Sequence, residues 1–253
     1  MNKIKVTFIC CYNNEEQFSS MLFPSINNLN IPICEIDSIF IDTKNPKYKF
    51  VKSAASAYNF VLNTYRETLG DILIFVHQDI AFDNSLFLQR IITELSTNPR
   101  QILGFAGVIK DVNVKILSNL KYRRTNKFIT GYQVENKEKV FSLDECCFAL
   151  KKEWCLKILF DEIVCFHWHL YAVDLCYALK FNYGINSYVL PEIIYHKEDN
   201  STGLYTDKYY FKSMWNLLKK YKSRTDIIYT TCFVCRTNLI FAFVKIIKTY
   251  FYK

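Results

Sequence analysis

The run Asp71-Ile72-Leu73-Ile74-Phe75-Val76-His77-Gln78-Asp79 passes from five consecutive apolar residues straight into three polar ones. A short apolar run without alternation is what a strand buried on both faces requires. Lys5 to Cys11 reads the same way, and Ile36 to Ile41 gives another strand that stops at Asp42. Helical stretches lie between them. Tyr12-Asn13-Asn14-Glu15 reads as a turn and cap ahead of a helix from Glu15 to Asn28. Ser53 to Leu69 and Asn84 to Leu95 read as two more helices, and Ile102 to Ile109 as a strand. This alternation predicts an α/β fold, a doubly wound and mostly parallel sheet flanked by helices. In such sheets ligands bind beyond the carboxyl ends of the strands. Tyr12 to Glu15, Asp42-Thr43 and His77-Gln78-Asp79 are therefore expected on one rim.

Farther along, residues 110–139 are polar and basic without periodicity and read as a long loop or small insertion. Phe141 to Leu150 and Asn186 to Leu190 are strand candidates, and Trp168 to Leu179 reads as a helix. Asp207 to Tyr221 reads as an amphipathic helix.

Composition narrows the function classes. The chain has 253 residues, 51% of them hydrophobic, which excludes global disorder. Its six glycines form neither G-x-G-x-x-G nor G-x-x-x-x-G-K-[ST], so the two commonest phosphate-cradling loops are excluded. Most of the ten cysteines sit inside apolar runs, and Met1 to Lys5 has no apolar leader. That pattern fits reduced, buried thiols in a cytoplasmic protein. Cys232-Phe-Val-Cys235 is a single CxxC without a second pair, a weak basis for a zinc or redox site.

Chemistry concentrates around the four histidines. In extended chain, residues two apart face the same side, so His77 and Asp79 can address one ion. An imidazole and a carboxylate suit Mn²⁺ or Mg²⁺ bridging two phosphates. The same residues suit strand-end polar groups that cap the next element. His167-Trp-His169 can seed a zinc site, although no Asp follows two residues later. On a helix, His167, Tyr171 and Asp174 share one face. That face offers a base at Asp174 oriented by His169 and Tyr171, or an aromatic helix start packed on the sheet.

An ordered set of motifs then stands out over residues 4–200. They are Ala55-Ser-Ala-Tyr58-Asn59, Ile74-Phe-Val-His-Gln-Asp79-Ile80, Leu143-Asp-Glu-Cys146 and Phe160-Asp-Glu162, followed by His169-Leu-Tyr-Ala-Val-Asp174-Leu-Cys176 and Val189-Leu-Pro-Glu-Ile-Ile-Tyr-His196. The set resembles GT-A type glycosyltransferases, in particular the streptomycin-biosynthesis-type glycosyltransferase-like family. The resemblance implies a nucleotide-sugar donor bound by the first strands, with Tyr12, Asn13, Asn14, Glu15 and Asp42 near base and ribose and Asn59 close by. It implies a divalent metal, Mn or Mg, at Asp79 and His196, with His77 in place of the first Asp of the family's D-x-D. It makes Asp174 the catalytic base of an inverting transfer, with Asp144, His169 and Tyr171 on the acceptor side. The acceptor it implies is a glycan or lipid-linked molecule in bacterial-type surface polysaccharide synthesis. That chemistry needs one base and a stabilised diphosphate, whereas hydrolysis would need two carboxylates flanking the bond.

The net charge of +8 belongs to one end. Tyr205 to Lys253 carries ten Lys/Arg against two acids, while residues 1–204 are neutral. The sequence therefore divides into a GT-A domain at 1–204 and a basic, amphipathic, helical extension at 205–253. Residues 226–253 are apolar but broken by Arg236, Lys245 and Lys248, too interrupted to span a bilayer. Two short helices could lie on an anionic membrane surface at its inner face, or pack on the core with lysines reaching outward. No nucleic-acid module is present, so no nucleic-acid partner is expected. The rival reading is a non-catalytic GT-A-like module that binds nucleotide or acts as a scaffold. A nucleotidyltransferase is disfavoured, because Tyr12-Asn-Asn-Glu15 replaces the glycine- and arginine-rich loop after its first strand.

Overall fold

The computed structural model describes residues 3–197 and 207–251. Three strands made by the apolar runs form one side of its main sheet: β1 (Ile4–Tyr12), β2 (Cys34–Asp42) and β3 (Ile72–Val76). β1 pairs in parallel with both of the others. The later strands are β4 (Ile80–Ala81), β5 (Gln101–Gly104), β6 (Ala106–Lys110), β7 (Val114–Ser118), β8 (Leu120–Tyr122), β9 (Glu138–Val140), β10 (Ser142–Leu143), β11 (Cys147–Lys151), β12 (Asn186–Val189), β13 (Ile194–His196), β14 (Ile227–Tyr229) and β15 (Val234–Arg236). Seven of them form the main sheet in the order β2-β1-β3-β11-β5-β12-β9. Only β11 and β9 run against the rest.

The helices are α1 (Glu15–Ser20), α2 (Leu22–Asn27), α3 (Ala54–Thr64), α4 (Leu86–Thr97), α5 (Lys152–Lys157), α6 (Tyr171–Tyr183), α7 (Lys208–Tyr221) and α8 (Leu239–Phe251). Every residue of β3 is buried, and its side chains feed two separate cores. Leu73 and Phe75 join the core that includes α3, α6 and α7, while Ile72, Ile74 and Val76 join the one that includes α2 and α4. Burial on both faces is why the sequence shows no alternation here. Local signals set the helix ends. The Asn14 side chain caps α1 by accepting from the N–H of Gln17, and Ser53 and Ser56 form a reciprocal cap on α3. Gly184 ends α6 at φ +68, a left-handed turn that glycine adopts at no steric cost.

Three expectations change. The helix expected over Glu15 to Asn28 is two helices broken at Met21, because the Pro24 ring would collide with the Ser20 carbonyl of a continuous helix. The segment 110–139 holds β7, β8 and β9 rather than an unstructured loop. In the region expected as helical, the described residues 227–251 form a β-hairpin, β14–β15, followed by the single helix α8.

The boundary at 205 also moves. Tyr210, Met214, Leu217 and Leu218 of α7, Ile228 and Cys235 of the hairpin, and Ala242 of α8 lie in the same core as Ile9 and Phe75. This end is integral to the domain. All ten cysteines are free, eight of them buried.

Gly70 sits where β3 begins to run beside β1. A Cβ there would meet the Lys5 carbonyl oxygen at 2.5 Å and the Val6 nitrogen at 2.9 Å, both backbone. Gly70→Ala is expected to cost about 1–3 kcal/mol, the range for forcing an extra carbon into a packed site. Urea denaturation of the variant beside the unaltered chain checks it.

Candidate functional site

The carboxyl ends of β1, β2 and β3 meet as the sequence predicts. Gln78 fastens two of them: its Oε1 accepts from the backbone N–H of Asn13 at 2.9 Å and of Asn14 at 3.0 Å. Its Nε2 donates to Asn13 Oδ1 at 3.1 Å. Thr43 joins the third strand end, donating its N–H and its hydroxyl to the Tyr12 carbonyl at 2.8 and 2.9 Å. Tyr12 is itself stacked on Phe18 at 4.2 Å. Tyr12, Asn13, Thr43 and Gln78 line a cavity of about 600 Å³.

In the middle of the cavity Asp79 faces His196, with Oδ2 3.4 Å from Nε2. His196 Nδ1 lies 2.7 Å from the Lys197 carbonyl, an acceptor only, so Nδ1 carries the proton. In the neutral ring Nε2 then presents a lone pair toward the carboxylate. Asp79 Oδ1 is buried and has no hydrogen-bond partner among the described residues. An imidazole lone pair facing a carboxylate with one unsatisfied buried oxygen, both lining a cavity, offer donors to a divalent cation. His77 is not part of it: its Nε2 lies 2.7 Å from the Tyr171 hydroxyl. Burial lowers the His77 pKa and keeps the ring neutral, against the pull of Asp79 and Asp144.

Asp144, Glu145, His169, Tyr171, Tyr210 and Thr231 also line the cavity. The Thr231 hydroxyl donates to Asp144 Oδ2 at 2.6 Å, and the Cys146 N–H donates to Oδ1 at 3.1 Å. Glu145 is different in kind. Burial, with the Asp144 charge beside it, pushes its carboxyl up to about 8. The backbone N–H groups of Glu145 and Leu170 face the carboxylate, and Leu170 has a left-handed φ of 66°. Oε1 has no partner among the described residues.

Several expected site residues lie elsewhere. Asp174 is 3% exposed and is not in the cavity lining. Lys220 Nζ donates to its two oxygens at 2.8 and 2.9 Å, and the Tyr221 hydroxyl donates to Oδ1 at 2.9 Å. Both oxygens are therefore committed, and Asp174 is corrected from base to anchor between α6 and α7. Asn59 is corrected likewise. Its amide donates to the Phe160 carbonyl and accepts from the Phe160 N–H, each at 2.9 Å, tying α3 to the segment before α6. Asn14, Glu15 and Asp42 are not in the lining: Asn14 caps α1, Glu15 accepts from Ser19, and Asp42 accepts from the Lys44 N–H. The helix expected from Trp168 begins only at Tyr171, because Leu170 turns left-handed. His167 and Asp174 therefore do not share a helix face.

Gln78, Glu145, Tyr210 and the hairpin turn Thr230-Thr231-Cys232 were not singled out as site residues by the sequence. Gln78 and Glu145 carried a signal, since each sits inside a quoted motif. In the hairpin turn only Cys232 carried one, as half of the CxxC.

A family model described as glycosyltransferase like family matches residues 7–193. No curated protein matches the chain. Among solved structures, GalNAc-T7 with UDP, GalNAc and Mn²⁺ superposes with a TM-score of 0.60 at 12% identity, over 86% of this chain and 48% of its own. A mannosyltransferase from Pyrobaculum calidifontis, in complex with GDP-Man and Mn²⁺, gives 0.52 at 12% identity, over 98% and 65%. Glucosyl-3-phosphoglycerate synthase from Mycobacterium tuberculosis, with Mn²⁺, UDP and phosphoglyceric acid, gives 0.51 at 12% identity, over 86% and 78%. The chain thus spans about half the length of the first of these.

Two stability effects follow from the carboxylates. Asp174→Ala leaves Lys220 without its buried partner and is expected to cost about 3 kcal/mol, the lower end for a broken buried pair, because Asp161 still holds the ammonium. Glu145, raised in the folded chain, holds a proton that the unfolded chain has lost between about pH 4.5 and 8. Stability should therefore fall as pH rises through that window, by up to about 1.4 kcal/mol per pH unit. Glu145→Gln should flatten that slope in a pH series of denaturation curves.

Proposed function

The chain belongs to the glycosyltransferase like family, and from that premise we propose that it moves a sugar from a nucleotide-sugar donor to an acceptor hydroxyl. The observation that carries the reading is the Asp79–His196 pair, with the His196 tautomer fixed and a buried Asp79 oxygen left over. These two residues would hold a divalent cation, Mn²⁺ or Mg²⁺, and the donor diphosphate. When bound, the cation would offset the charge that develops on the departing diphosphate. The similar structures solved with UDP or GDP-Man and Mn²⁺ support the same donor class here.

The nucleoside lies against Tyr12, Asn13 and Thr43, on the end of the cavity that Gln78 fastens. The acceptor enters from the other end. There Asp144, held by Thr231 and the Cys146 N–H, orients the acceptor, with His169 and Tyr171 beside it. Glu145 takes the place foreseen for Asp174 and receives the hydroxyl proton. With its carboxyl pushed up to about 8, only its ionised fraction accepts that proton at neutral pH, so turnover should rise as the pH approaches 8. A single base opposite the leaving diphosphate gives one in-line displacement and inversion at the anomeric carbon.

The acceptor is a glycan or lipid-linked molecule of surface polysaccharide synthesis, reached at the cytoplasmic face of a membrane. The support is α8, which packs on α7 yet exposes Ile240, Phe241, Phe243 and Val244 near Arg236 and Lys248. Aromatic and basic groups together suit an anionic bilayer surface. No helix among the described residues is long and apolar enough to cross a membrane.

Thermal shift with UDP, GDP, CDP and CMP, each with Mn²⁺ and with EDTA, tests the donor. A nucleotide at about 100 times its dissociation constant should add about 2.7 kcal/mol. The shift should vanish in EDTA, in Asp79→Ala and in His196→Ala, whereas a flat panel points to the non-catalytic module. Turnover should fall about 100-fold or more in Glu145→Gln, from the lower end of the general-base range upward, with nucleotide binding retained. Phe241→Glu should abolish sedimentation with anionic vesicles while leaving the melting temperature unchanged.

A further inference from the structure

We propose that His167, His169 and Asp207 form a second divalent-cation site of the zinc class, on the cavity wall and separate from the Asp79–His196 pair. One ligand atom from each residue can be chosen so that all three lie within 4.8 Å of one another. His169 lines the cavity, whereas His167 and Asp207 are not in its lining. Two imidazoles and a carboxylate with a fourth position open are a recurrent zinc donor set.

Each residue is already arranged for that role. Asp207 divides its oxygens: Oδ1 accepts from the N–H groups of Tyr209 and Tyr210 at the start of α7, and Oδ2 faces His169 Nε2 at 2.7 Å. The helix amides thus fix the carboxylate as outer groups fix a metal ligand. His167 is held flat against the Tyr209 ring, centroids 4.3 Å apart and planes 9° apart. Its Nδ1 is buried and has no hydrogen-bond partner among the described residues. A hydrogen-bonded His169–Asp207 pair alone would leave that nitrogen unsatisfied, a cost an ion beside it removes. The site would join the start of α6 to the start of α7 across 38 residues of chain.

The test is Zn²⁺ titration of the chelator-stripped full chain by calorimetry, repeated with Co²⁺ to read coordination from its visible spectrum. Asp79→Ala removes the other cation position, so this background isolates the new one. Here the variant should bind one Zn²⁺, with the intense Co²⁺ bands of a four-coordinate site. Adding His167→Ala or Asp207→Asn should weaken Zn²⁺ at least about 100-fold, beyond what outer-shell changes cost. Asn also caps helices, so Asp207→Asn leaves α7 its cap and separates ligand loss from misfolding. Absence of Zn²⁺ binding by Asp79→Ala, or affinity unchanged in either double variant, overturns the proposal. Because the readout is metal binding alone, it stands or falls independently of the transferase reading.

Discussion

The burial of β3 on both faces is the constraint that the rest of the molecule obeys. Ile72 to Val76 can be covered only by helices above and below and by strands on both sides. The strand is thereby forced to the middle of the sheet. The first polar residues after it, His77-Gln78-Asp79, then have one place to go, the open rim. Gln78 makes that rim a single surface by bonding two backbone N–H groups of the loop after β1. Asp79 lands opposite His196 because β4, right after it, pairs antiparallel with β13.

The elements that the sequence revealed are those whose cause is local. Apolar runs became the central strands, and Asn14 and Ser53 became caps, because neighbouring residues determine those outcomes. The rim residues Tyr12, Asn13, His77 and Asp79 were legible for the same reason, since strand ends place them. What stayed hidden depends on partners distant in the chain. Asp174 looks like a base beside Tyr171 and becomes an anchor only when Lys220 and Tyr221 arrive. Asn59 reads as a ligand-facing amide until the Phe160 backbone takes both its ends. Likewise His167 and His169 lack their carboxylate in the local sequence, because Asp207 comes from the far side of a long connection.

The basic, apolar end of the chain was the hardest part to read. Its charge and aromatics describe a surface, and α8 does present one. Nothing in that composition reveals that the preceding hairpin is fastened inside the domain. Ser142 donates to the Tyr229 carbonyl at 2.6 Å, and Tyr177 accepts the Tyr229 N–H at 2.9 Å. The turn between its strands thus brings Thr231 to Asp144.

That contact separates the two ends of the cavity in folding time. The end fastened by Gln78 is made by three early strands and the short connections between them. The other end closes only when Thr231 reaches Asp144 across 87 residues, a long loop whose ordering entropy must be met first. The cavity is therefore complete only once the chain has reached the hairpin turn and folded it back onto Asp144. The hairpin is the keystone: without its turn, Thr230, Thr231 and Cys232 are missing from the cavity wall.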